Sequence, residues 1–163
     1  MTVEMIRLTG GLLLAAAGAL SGYGRCTELR RRQRLLEELN GALGRLSAEL
    51  IRLRTPLPQA FEKLKSCRMF YLVSAGFGAE PLETLWKRAA EAQPLKAGER
   101  ALLGSLGNVL GKYDAPQQSA EIELVRQQLA ERVAALEREI DTRGRHYAGL
   151  GAALGGIVAV VLY

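Results

Sequence analysis

Leu8 to Gly24 is a run of 17 residues without a charge, and Tyr147 to Tyr163 is another; apart from Glu4 and Arg7, every acidic or basic residue lies between them. A membrane-crossing helix needs about 20 mostly apolar residues, with a lower limit near 17. Both runs meet that limit, so the chain reads as a small membrane protein with a charged middle rather than a soluble enzyme. Basic residues cluster against each run: Arg25, Arg30, Arg31, Arg32 and Arg34 follow the first, and Arg143 and Arg145 precede the second. Positive flanks mark the cytoplasmic side. The expected organisation is therefore an N-terminal transmembrane segment, 1–24, a cytoplasmic helical domain, 25–145, and a C-terminal transmembrane segment, 146–163.

The rival to a first span is a cleaved signal peptide, with Arg7 as its charged region and Ala15-Ala16-Ala17 or Ala17-Gly18-Ala19 as the small-residue cleavage site. The arginine cluster directly behind it resists translocation, which favours a retained span. Small residues at Gly11, Ala15, Gly18 and Gly22, and at Ala148, Ala152, Gly155 and Ala159, would let two spans approach closely. The net charge of +5 is carried largely by the flanking arginines. No interleaved aromatics or nucleic-acid motif accompany them, so no nucleic-acid partner is expected.

The middle reads as helix throughout. Leu36, Leu39, Leu43, Leu46, Leu50 and Leu53 alternate spacings of three and four and form one stripe. Thr55-Pro56 should end that helix and start the next, with Thr55 as N-cap and Pro56 in the first turn. Ala60, Phe61, Leu64 and Cys67 continue at helical spacing, and Gly76 to Pro81 is a turn cluster. A short helix carrying Leu82, Leu85, Trp86 and Ala89 should stop at Pro94. Another, about Gly98 to Gly111, shows Leu102, Leu103, Leu106 and Leu110. Tyr113 to Pro116 caps a final long helix with Ile122, Val125, Leu129, Val133, Leu136 and Ile140 on one face. The predicted fold is all-α: an antiparallel helical bundle or coiled-coil stalk with transmembrane helices at both ends.

No catalytic constellation stands out. His146 is the only histidine, which excludes a catalytic triad or a multi-histidine metal site. Cys26 and Cys67 have no disulfide-framework or metal-site spacing. Gly104, Gly107 and Gly111 lack the Lys-Ser/Thr of a phosphate loop. No cofactor, metal or small-molecule substrate is expected, and any energy for the protein's work must come from a partner.

Several short motifs occur in a telling order. Leu46-x-x-Glu49 precedes Thr55-Pro56-Leu57-Pro58-Gln59-Ala60; then come Leu106-Gly107-x-x-Leu110-Gly111-x-x-Asp114-x-x-x-Gln118 and Leu150-Gly151 at the start of the apolar tail. The chain resembles, over essentially its whole length, the stage III sporulation protein AB family of endospore-forming bacteria. It departs in Lys65 to Gly78, which is apolar where a regular charged helix is expected. The resemblance implies a non-enzymatic platform or adaptor of the sporulation channel between mother cell and forespore. It implies a place in the cell membrane on the mother-cell side, in the outer forespore membrane. It also implies distant similarity to the platform protein of type II secretion and type IV pilus systems. Its expected partners are the AA component, a secretion-type ATPase, and other proteins of the channel complex; an oligomer is compatible with this scheme.

Two corners are the candidates for partner binding: Thr55, Pro56 and Leu57, and the loop from Asp114 to Gln118. The competing role for each is structural, with Asp114 and Thr55 as caps and Gln118 bonding backbone across a turn. A different function also fits the composition: an electrostatic membrane-surface scaffold holding anionic lipids through the Arg25–Arg34 cluster, at about 1 kcal/mol per residue.

Overall fold

A computed structural model of the protein describes the backbone of residues 2–162 and the side chains of residues 27–142. It contains α1 (Thr2–Ile51), α2 (Leu57–Lys63), α3 (Arg68–Gly76), α4 (Leu82–Glu91), α5 (Ala97–Ser105), a 3-10 turn (Leu106–Asn108) and α6 (Ala115–Leu162). Among the described residues there is no strand, only an isolated bridge between Phe77 and Glu80. The all-α expectation holds. Among the described residues, no helix is long and apolar enough to cross a membrane. The proposed spans, 1–24 and 146–163, lie outside the described side chains, as do Arg25, Arg143 and Arg145.

The chain divides into two compact units. One combines residues 1–33 with 135–163. In its described part Leu136 and Ile140 are buried, and Gln33 donates a hydrogen bond to the Glu137 carboxylate at 3.2 Å.

The other unit, residues 34–134, holds the main core. Here α1 and α6 run antiparallel. Arg126 donates to the Asn40 side chain at 3.1 Å, and the Ser47 and Ser119 hydroxyls meet at 2.6 Å. The leucine stripe behaves as its spacing predicts from Leu36 to Leu50, all buried. Ile122, Val125 and Leu129 of α6 are buried in the same unit. Leu53 is a correction: α1 has already ended, and Leu53 is 62% exposed. The helix stops because Arg54 adopts a left-handed conformation, φ 48°, and the Thr55 amide turns back to the Glu49 carbonyl.

Two further helices are shorter than their periodicity suggests. The run from Pro56 to Cys67 breaks after Lys63 into tight turns, Leu64 N–H to Phe61 and Cys67 N–H to Leu64, so that α2 and α3 pack on each other. The apolar departure at Lys65–Gly78 thereby becomes the centre of the core: Met69, Phe70 and Val73 of α3 are buried. Similarly the segment to Gly111 leaves α-helix at Ser105 and tightens into the 3-10 turn. Gly107 lets this turn lie close against α4, because a Cβ there would lie 3.2 Å from the Glu83 carbonyl oxygen and 3.3 Å from Trp86 Cβ.

Two glycines of α1 differ in purpose. A Cβ at Gly41 would meet nothing within 4 Å, whereas one at Gly44 would sit 2.9 Å from the Arg126 guanidinium carbon. Gly41→Ala should therefore raise unfolding stability by about 1 kcal/mol, the ordinary helix-interior gain. Gly44→Ala should gain less or nothing, since it displaces the arginine bound to Asn40. Thermal unfolding of the two variants followed by circular dichroism checks the pair.

Candidate functional site

Both candidate corners lie at the end of the central unit where α1 stops and α6 begins. At the first, Pro56 rather than Thr55 is the N-cap residue of α2, without a side-chain cap bond. The Thr55 hydroxyl instead donates to the Glu49 carboxylate at 2.7 Å, correcting its expected capping role. Lys63 Nζ reaches the same carboxylate oxygen at 2.7 Å. Glu49 therefore ties the end of α1 to the corner and to the end of α2, and this explains Leu46-x-x-Glu49 and Thr55 as one arrangement. Leu57 is half-buried, and Pro56 is exposed.

At the second corner the residues take the structural roles that their types allow. Asp114 caps α6, its Oδ1 accepting the Gln117 N–H at 3.2 Å. Gln118 is buried and bridges the turn: its Oε1 accepts the Gly111 N–H at 3.2 Å, and its Nε2 donates to the Tyr113 carbonyl. Gly111 has φ +79°, a conformation that favours glycine.

Gly111 also joins the two corners. A Cβ on it would lie 3.5 Å from Leu57 Cδ1 and 3.4 Å from Leu82 Cδ2. Thr55-Pro56-Leu57 and Asp114-to-Gln118 are thus one contiguous region, with Lys112 paired to Glu83 of α4 at 2.5 Å beside it. Its surface carries unusually exposed apolar side chains: Ile51 at 43%, Leu53 at 62% and Tyr113 at 50%. Sequence periodicity could not reveal Tyr113 or Leu53 as surface residues, because both follow from where helices stop.

The Glu49 pairing has a pH consequence. Hydrogen bonds from Lys63 and then Thr55 hold its carboxyl below the ordinary glutamate range. A lowered folded pKa means that the stabilising contribution is present at neutral pH and lost as pH falls through the carboxylate range. Glu49→Gln should accordingly be less stable at neutral pH, and its melting temperature should fall less than that of the parent on going to about pH 4.

Among the described residues every buried side-chain polar atom has a partner, and no group of three or more His, Cys, Asp or Glu stands ready for a metal. Buried Glu99 accepts the Lys96 N–H at 3.0 Å at the start of α5, as a carboxylate in a first helical turn should. Trp86 donates to the Leu103 carbonyl at 2.7 Å. Of the arginine cluster, Arg30, Arg31 and Arg34 are exposed and Arg32 is half-buried.

Fold and site together define a class: an all-helical protein in which short helices lie in sequence between two long ones, with a distinctive surface in the central unit where α1 stops and α6 begins. The chain belongs to the stage III sporulation protein AB family, whose family model matches residues 7–163. A solved structure of stage III sporulation protein AB is similar at 25% identity and a TM-score of 0.61, covering 68% of this chain and 97% of that one. No curated protein sequence matches.

Proposed function

We propose that this protein is a non-enzymatic adaptor of the sporulation channel complex that docks a secretion-type ATPase with the joined corners at the end of its helical domain. The observation that carries this reading is the convergence of Thr55-Pro56-Leu57 with Gly111-to-Gln118, next to exposed Leu53 and Tyr113. Exposed apolar side chains on a scaffold fixed by caps and buried bonds suit a partner interface. Membership of the sporulation family supports the setting. In this scheme 1–24 and 146–163 cross the membrane, 25–145 faces the mother-cell cytoplasm, and the helix pair acts as a stalk that transmits displacement.

The test is capture of the purified full chain by the AA-type ATPase, with and without ATP. Nucleotide-sensitive capture that weakens about tenfold in Tyr113→Ser, a loss of about 1.4 kcal/mol, supports the docking surface. An Asp114→Ala variant that melts earlier but is captured normally assigns Asp114 to the cap alone. Absence of capture, with salt-sensitive binding to anionic vesicles instead, transfers the role to a membrane-surface scaffold acting through the exposed arginines.

A further inference from the structure

A hollow of about 360 Å³ lies on the flank of this region, between the last turns of α1 and the end of α2. Arg45, Arg52 and Lys63 line it, together with Ala48, buried Leu64 and exposed Leu53. Its one carboxylate, Glu49, is already committed to Thr55 and Lys63. The Arg45 and Arg52 side chains make no hydrogen bond or ion pair among the described residues. Arg52, directly after the last turn of α1, stands where the helix dipole favours a cation, but Arg45, more than a turn before the end, lies beyond that effect.

Arg52 is the first residue past α1, and its N–H still bonds the Ala48 carbonyl at 2.9 Å in the helical pattern, so seven residues from Arg45 it continues the same face, about 10 Å further along the axis. Guanidinium groups pair with carboxylates in a two-pronged geometry. Two of them, separated by two helical turns and flanking an apolar lining, match a helix with acidic residues at the same spacing and aliphatic ones between. A single phosphate group would leave the apolar lining and Leu53 unused. We infer that this hollow binds an acidic amphipathic helix of a partner protein, carboxylates to Arg45 and Arg52 and an aliphatic side chain against Leu53, Ala48 and Leu64. That the partner is the docked ATPase rests on the function proposed above; the chemistry of the surface does not.

The probe is a fluorescein-labelled helical peptide of about 18 residues, long enough to hold its helix, with Glu at positions i and i+7 and Leu at i+3 and i+4. A matched peptide carries Gln in place of both Glu. Binding to the full chain is read by anisotropy, in parallel with ATPase capture. Expected are binding of the Glu peptide, at least about tenfold weaker binding of the Gln peptide, and a similar loss in Arg45→Glu/Arg52→Glu. Leu53→Ser should weaken binding severalfold with no change in charge, and it keeps the test decisive if the double variant melts early. Equal binding of both peptides, unchanged binding by folded variants, or displacement by millimolar phosphate at constant ionic strength overturns the inference. Peptide binding without ATPase capture upholds the surface and rejects the ATPase as the partner. ATPase capture undiminished in the double variant, with no peptide bound, upholds the adaptor and rejects the surface.

Discussion

Trp86→Ala should cost the central unit about 3–5 kcal/mol, the range for deleting a large buried aromatic, enough to unfold much of it at physiological temperature. Trp86 is fully buried. Its ring centroid lies 5.5 Å from Phe70, edge-on, and 6.0 Å from Phe61, which also meets Phe70 and Phe77 at 6.0 Å. Such pairs add about 0.5–1.5 kcal/mol each beyond the area they bury. These four rings come from α2, α3, α4 and the turn after α3, so the cluster joins elements that the leucine stripe alone would not hold. Trp86→Phe separates the contributions. It keeps most of the packing but removes the indole donor from the Leu103 carbonyl, which retains the Leu106 N–H, so a loss of about 0.5–1.5 kcal/mol is expected for that bond. Denaturant unfolding followed by circular dichroism distinguishes the two variants; equal stability of Trp86→Ala and parent would show that the cluster is not the keystone.

Gly107→Val should be the next most damaging change, at about 1–3 kcal/mol from overpacking. The first added carbon already stands 3.2 Å from a backbone oxygen, which cannot move aside as a flexible side chain could. Gly104 is the internal comparison, since a Cβ there meets nothing within 4 Å. Gly104→Ala in the preceding helix α5 should leave the melting temperature unchanged or raised. If both substitutions are equally tolerated, the close approach of the 3-10 turn to α4 is not what fixes this part of the fold.

The sequence announced some features well and others not at all, for identifiable reasons. The stripe from Leu36 to Leu50 was readable because a long helix repeats its burial pattern many times. Gln118 was readable as a bridge across its turn because a buried amide beside a capped helix end has few other uses. The split between α2 and α3 was hidden: no glycine or proline marks Leu64 to Cys67, and the chain bends there so that Phe61 and Phe70 can both reach Trp86. Packing overrode a continuous local period. Leu53 was misplaced for a related reason, since a left-handed Arg54 is not a residue type that advertises a helix end. The union of the two candidate corners also lay beyond the sequence, for nothing in it says that Leu57 rests on Gly111.

The succession of short helices has a consequence for chain entropy. Ser47 and Ser119 are separated by 72 residues, and Asn40 and Arg126 by 86. Closing a loop of that size from a free chain costs free energy that grows with the logarithm of its length. Here α2 packs on α3, α3 on α4, and α4 on α5 and the 3-10 turn, each on a neighbour close in sequence. Every such step closes only a short loop, and together they bring the end of α1 near the start of α6. The distant pairing is thereby divided into local closures, so the long helices meet across a gap that their intervening chain has already folded away.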